Sequence, residues 1–368
     1  MTEKIKNIVI TILLSAIVAG VCVLCIFKPA DAFSKSERRE LASFPKISAE
    51  AVLSGQFMRD FETYSTERFP FRDAFRTVKA WFSTKVFKKL ENNGVFVADG
   101  HISKIDATEN PQMMDYATEK FLYIYNSYLK DKNTNVYLSV VPDKNFIIAA
   151  KNGYPALDYE GFIKKIREKA GYMNYIDVTD LLQSEDYYTT DTHWRQEKIT
   201  DIAERIGDKM GVDVRSEYTV NTLQKPFYGV YWGQLALPFD PDEIRYLTNE
   251  YIDKSTVTYF DTGAPRQGEM YDMKKAVGKD PYEMFLSGSM PLVTMENSLA
   301  ETDKELIIFR DSFGSSLAPL FTKGYKKITV VDIRYIQSAF VGNFVEFEGA
   351  DVLFVYSTAL LNNSLAMR

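Results

Sequence analysis

Glu305-Leu-Ile-Ile-Phe-Arg-Asp-Ser-Phe-Gly-Ser315 is the stretch on which the fold reading turns. Glu305 to Phe309 is an apolar run of the right length for a buried strand, followed by a turn over Arg310–Gly314 and a helical pattern to about Lys323. Lys327-Ile-Thr-Val-Val-Asp332 and Asp351-Val-Leu-Phe-Val-Tyr356 read as two further strands. A strand, a crossover helix and another strand imply parallel pairing, so the expected fold class is α/β, a parallel sheet flanked by helices. Ser312 falls on the turn. A serine between strand and helix is how many α/β enzymes present a nucleophilic hydroxyl, which makes Ser312 the candidate nucleophile.

A nucleophilic serine needs a base. The chain has only two histidines, His101 and His193. Acid–base chemistry near neutral pH would fall to one of them. His193 lies in Glu185-Asp-Tyr-Tyr-Thr-Thr-Asp-Thr-His-Trp-Arg195, two residues after Asp191 and directly before Trp194. An Asp on one ring nitrogen fixes the tautomer and leaves the other free to take a proton. Gln196 to Met210 has a helical pattern, so Asp191 has a second reading as an N-cap acceptor for that helix. His101 follows Gly100 with no adjacent carboxylate, and reads as a surface or turn histidine.

Upstream, Gln112 to Leu129 is helical in pattern, Asn135-Val-Tyr-Leu-Ser-Val-Val141 is a strand ending at Pro142, and Tyr159 to Gly171 is a further helix. Asp143 and Lys144 stand just past that strand's carboxyl end, where open α/β sheets place their sites. Residues 216–288 change character: aromatic and β-branched residues are broken by Gly, Pro, Asn and Asp, as expected of a strand-rich insertion. Trp232, with its neighbouring tyrosines, could stack on sugar rings or fill a small β core.

Near the N-terminus, Lys4 and Lys6 precede an uncharged apolar run from Ile8 to Phe27. About 20 residues at roughly 1.5 Å each span a hydrocarbon core of about 30 Å. The lysines before it point to a cytoplasmic N-terminus and an exported remainder. Residues 1–30 are therefore expected to form a signal anchor or transmembrane helix, with cleavage after Ala32 in Ala30-Asp-Ala32 as the alternative. Both cysteines, Cys22 and Cys25, lie in this run, so the exported part carries none. Residues 31–48 read as a juxtamembrane linker and 49–368 as the α/β domain. Between Ala49 and Leu90, Phe57, Phe61, Tyr64, Phe75, Val78, Phe82 and Phe87 recur at helical spacing, broken at Pro70; the expectation is two helices packing their aromatics into a core.

The chain has 368 residues and a net charge of −6, which gives no support to nucleic-acid binding, and no zinc-type Cys/His spacing occurs. No cofactor or metal is implied. Tyr and Phe number 23 and 25, a level found both in carbohydrate-facing proteins and in large cores.

On these residues the chain resembles the DHHW proteins, relatives of the AlgX/AlgJ-like alginate O-acetyltransferases in the SGNH hydrolase superfamily. The family's Asp-His-His-Trp is similar to Asp191-Thr192-His193-Trp194, with Thr192 in place of the middle His. Asp311-Ser312-Phe313 matches a second block, and Asp332-Ile-Arg-Tyr335 resembles a third. The resemblance runs from about Ser34 to the C-terminus. It implies an SGNH-like sheet and a catalytic set of Ser312, His193 and Asp191, in the reversed chain order of the AlgX/AlgJ-like relatives. Many relatives carry Gly-Asn where this chain has Ser287-Gly-Ser289, which leaves Ser289 as a weaker oxyanion donor. Arg334 and Tyr335 are candidate contacts to an anionic polymer.

The implied function is O-acetylation of a cell-surface or exported polysaccharide through an acyl-serine, beside a membrane-bound O-acyltransferase that supplies the acetyl group. A deacetylating esterase would use the same three residues. The reading from a different class is a non-catalytic, membrane-anchored polysaccharide-binding or assembly protein; Thr192 and Ser289 are its support.

Overall fold

The computed structural model describes residues 3–27, 32–34, 36–261 and 264–368. They form two compact units: Met1–Asn92 with Gly233–Pro238, and Asn93–Trp232 with Phe239–Arg368. The helical stretch beginning at Ala49 thus clusters with the residues before it. Ala30 and Asp31 of the proposed cleavage site lie outside the described residues.

The first unit opens with α1, Glu3–Phe27. Its Glu3–Cys25 portion is long and apolar enough to cross a membrane, a property shared by anchors and signal sequences. After a short hairpin, Phe33–Ser34 with Arg39–Glu40, come α2, Gln56–Glu67, and α3, Arg72–Trp81, with one wide turn added over Phe82–Val86. The break between them contains Pro70, as the sequence requires. The expected buried aromatic core does not form, although Phe57, Phe61 and Tyr64 cluster around Phe44 near the surface. α2 buries no residue and α3 only Ala80, while Phe61, Phe75, Val78, Phe82 and Phe87 are exposed. The spacing was helical, but the side of α3 turned inward is its polar one: Arg72 and Arg76 both pair with Glu37.

The second unit is built on an eight-stranded sheet. In chain order its strands are β1 Asn135–Val141, β2 Asn174–Tyr175, β3 Thr256–Tyr259, β4 Arg266–Gly268, β5 Leu292–Glu296, β6 Glu305–Arg310, β7 Lys327–Val331 and β8 Asp351–Ser357. The spatial order is β4-β3-β5-β7-β6-β8-β1-β2. From β7 to β2 every pairing is parallel, with Ile308 of β6 opposite Val330 on one side and Leu353 on the other. β5, β3 and β4 add an antiparallel edge, so the sheet is mixed. The strand-rich region 216–288 supplies β3 and β4 of that edge, together with a hairpin of Thr219–Phe227 against Asp242–Thr248.

The central strands read as continuous apolar runs because both faces are covered. Leu306 and Ile308 point into one core with Trp194, Leu353 and Val355; Ile307 and Phe309 point into the other with Val352 and Phe354. Helices α4 Pro111–Ile124 and α5 Tyr159–Lys169 cover the second face, and α6 Thr200–Met210 the first. The helix after Ser312, α7 Phe313–Leu317, is shorter than expected, because Pro319 converts its continuation into a tighter turn over Ala318–Phe321.

Candidate active site

Ser312 sits immediately past the carboxyl end of β6, where parallel sheets concentrate their chemistry. Its backbone is ordinary right-handed helical, φ −63° and ψ −22°, so the hydroxyl is presented without strain at this residue. Asp311 fixes the turn. One carboxylate oxygen accepts from Phe313 N–H, and the other accepts from Ser357 N–H and Oγ–H at the end of β8. Gly314 N–H donates to the Asp311 carbonyl and Ser315 N–H to that of Ser312. The Ser312 N–H makes no hydrogen bond among the described residues.

Residues 186–195 form a closed loop. Tyr188 N–H donates to the His193 carbonyl and Arg195 N–H to the Asp186 carbonyl. The loop carries His193 to Ser312: Nε2 lies 2.7 Å from Ser312 Oγ, and Nδ1 lies 2.6 Å from Asp191 Oδ1. Asp191 is 2 % exposed and does not cap the following helix. Its two oxygens instead accept from His193 N–H and from Val230 N–H as well as from the ring. A carboxylate so bound holds the imidazole in one orientation.

Trp194, noted in the sequence beside His193, and two neighbours that sequence reasoning missed, Tyr282 and Gln196, complete the support. The Tyr282 ring stacks on His193 with centroids 3.9 Å apart, and its hydroxyl is hydrogen-bonded with Ser316. Trp194 is fully buried and donates its indole N–H to the Phe313 carbonyl and Ser316 Oγ, tying the His loop to the Ser turn. Gln196 donates to the Ser316 carbonyl and accepts from Leu247 N–H. Only Trp194 carried a signal in the sequence, by adjacency to His193.

Behind the loop lies a charged clamp. Asp242 accepts four hydrogen bonds, from the N–H and hydroxyl of both Thr189 and Thr190. Lys144, 1 % exposed, donates to the Tyr188 and Thr189 carbonyls. Burial pushes the Lys144 ammonium down to about 7 against the pull of Asp191, Asp242 and Asp143. His101 corrects the surface reading: it is 6 % exposed, lies in a strand, His101–Lys104, and packs beside the same loop, with Ile102 N–H donating to Thr189. Burial first, then the nearby Lys144 charge, pushes its imidazole down.

The remaining sequence candidates are placed as follows. Ser289 is exposed and its Oγ accepts from the Tyr335 hydroxyl. Arg334 directs Nε and Nη2 onto Asp332, which also pairs with the buried Arg310. Arg310 in turn donates to the Gly288 carbonyl, holding a run of three left-handed residues, Leu286, Ser287 and Gly288, with φ of 50°, 58° and 74°. Left-handed backbone costs roughly 1–2 kcal/mol at a residue other than glycine, so this loop is held by its surroundings. Trp232 donates its indole N–H to the Phe239 carbonyl and leans on Tyr228, so its polar edge is used internally.

No protein-family model matches the chain, and no curated protein matches it. Solved structures do. A DHHW family protein from Eubacterium siraeum superposes with a TM-score of 0.59 at 22 % identity, covering 75 % of this chain and 94 % of that one. Bacillus cereus PatB1, solved with a sulfonyl adduct, superposes at 0.56 and 17 %, covering 73 % and 95 %. The O-acetyltransferase domain of Pseudomonas putida AlgJ aligns at 0.42 and 12 %, covering 73 % and 92 %, a likeness too loose to bear on the site. The chain shares the fold of the DHHW family protein and of PatB1, the α/β fold that the sequence motifs implied.

Proposed function

We propose, on this fold likeness and on the site geometry, that the chain is a membrane-anchored, extracytoplasmic serine O-acetyltransferase or esterase acting on a polysaccharide. The observation that carries the reading is the unbroken chain Asp191–His193–Ser312, with contacts of 2.6 and 2.7 Å. It unites residues 119 positions apart in sequence around a half-buried hydroxyl.

In the first half-reaction Ser312 Oγ attacks the acyl carbonyl carbon while His193 Nε2 takes the hydroxyl proton. The carbonyl electrons move onto oxygen, where the Ser312 N–H meets the negative charge. Collapse expels the donor's leaving oxygen with the proton from His193, and leaves an acyl-serine. In the second half an acceptor hydroxyl gives its proton to His193 and attacks the acyl carbon, and Ser312 recovers its proton as it leaves. A sugar hydroxyl as acceptor makes the enzyme a transferase; water makes it an esterase. Asp191 remains a carboxylate throughout.

The membrane-bound acetyl donor, the polysaccharide acceptor and the anchor are parts of the same proposal. Supporting the anchor is the apolar Glu3–Cys25 helix. Arg334 and Tyr335 are proposed substrate contacts; the Arg334 guanidinium lies over the Tyr335 ring and pairs with Asp332. The test is release of product from an activated acetyl ester by the full chain, compared with Ser312→Ala and Asp191→Asn. The proposal expects loss of turnover in Ser312→Ala, and a drop of about 10³–10⁴ in Asp191→Asn, where the imidazole tautomer is no longer enforced. Equal turnover in all three proteins would reject it.

A further inference from the structure

α3 is amphipathic with its faces reversed. Arg72 and Arg76 point inward to a shared partner, Glu37, and Ala80 is its one buried residue. Phe71, Phe75, Val78, Phe82 and Val86, spaced three or four residues apart and so on one face, are between 46 % and 60 % exposed. Trp81, on the flank of that face, is 49 % exposed. A helix that turns its aromatics away from its own unit has another medium for them.

Two observations identify that medium. The first is charge: residues 77–90 hold four lysines and no acidic residue, in a chain whose net charge is −6. Lys85 in the last turn, and Lys88 and Lys89 just beyond it, are exposed, and basic residues beside an apolar helical face suit an anionic lipid surface. The second is reach. Glu37, which binds Arg72 and Arg76, stands ten residues after Phe27, the end of α1. Ten residues extend at most about 35 Å, so a chain anchored by α1 keeps the start of α3 within that distance of the bilayer.

We propose that Arg72–Val86 lies in the plane of the extracytoplasmic leaflet, its aromatic face among the acyl chains and its lysines at anionic headgroups. The inference rests on the reading of α1 as a retained membrane anchor. It gives the catalytic unit a second attachment besides the span.

The experiment uses the full chain reconstituted in vesicles containing phosphatidylglycerol and a lipid brominated near the headgroup end of its acyl chain. Flotation reports the anchor, and quenching of tryptophan emission reports the helix. Of the three tryptophans, Trp194 is fully buried. The expected result is quenching in the wild type that is lost in Trp81→Phe, and is weakened in all-phosphatidylcholine vesicles and in the Lys85→Glu/Lys88→Glu/Lys89→Glu variant. A chain that floats but whose quenching is the same in Trp81→Phe overturns the proposal and assigns the face to a protein partner. Quenching indifferent to lipid charge and to the lysines overturns the anionic headgroup assignment. A chain that does not float overturns the anchor and, with it, this inference.

Discussion

The Tyr282 ring lies flat on the His193 imidazole, with centroids 3.9 Å and planes 9° apart. The imidazole is thus held from two directions, in its plane by Asp191 and across its face by Tyr282. The Tyr282 hydroxyl is anchored in turn by Ser316, one turn of helix beyond Ser312. Tyr282→Ala opens space beside the ring, and a misplacement of about 1 Å at a reacting group can cost on the order of 100-fold. We expect a fall of about ten- to a hundredfold in ester turnover for Tyr282→Ala. Tyr282→Phe keeps the stacking surface and should lose about 1 kcal/mol of stability with turnover within a few-fold of wild type. Equal damage from the two substitutions would show that the hydroxyl, not the ring, holds the base.

The Asp242 carboxylate governs whether the loop carrying Asp191 and His193 keeps its shape. It is 9 % exposed and accepts four hydrogen bonds from Thr189 and Thr190. Asp242→Ala strands these donors in the interior, at a cost of about 3 kcal/mol or more in unfolding free energy. Asp303→Ala removes a carboxylate that is 92 % exposed and should move stability by under about 0.5 kcal/mol. Urea titration of both variants checks the contrast.

Lys144 predicts a pH dependence of stability. Burial lowers it from 10.5 to about 7 in the folded chain. Between those values the unfolded state holds the lysine proton and the folded state does not, so the Lys144 contribution to stability rises with pH. Below about 7 both states are charged and the burial penalty is present in full. The stability of wild type relative to Lys144→Met should therefore be flat in acid and climb from about pH 7 towards 10. Urea titrations at several pH values read the difference directly; a difference that falls across that window contradicts the account.

The parallel half of the sheet was legible because its strands are buried on both faces. Glu305–Phe309, Asn135–Val141 and Asp351–Tyr356 are short, largely apolar stretches, and each is a strand within a residue of its expected end. That Asp191, His193 and Ser312 belong together was legible for a chemical reason: with two histidines in the chain, the one beside Asp191 stood out. What surrounds them was not. Tyr282 reaches His193 from 89 positions away, and no local pattern marks a ring that will stack on another ring. His101 looked like a turn residue because Gly100 precedes it, yet the chain folds back there into a strand against the Thr189 loop. For α3 the period was right and the direction wrong. Helical spacing says that aromatics share a face, and only the Glu37 pairing with Arg72 and Arg76 says which face turns inward.

The most direct test of the central claim is covalent. A sulfonyl fluoride reacts with a serine hydroxyl made nucleophilic by a neighbouring base. The full chain is incubated with the probe, its intact mass is recorded, and the modified peptide is sequenced, with His193→Ala and Ser312→Ala alongside. The account predicts one adduct, on Ser312, absent from Ser312→Ala and strongly slowed in His193→Ala. An unlabelled wild type that is demonstrably folded, or labelling of Ser312 at the same rate without His193, would contradict it.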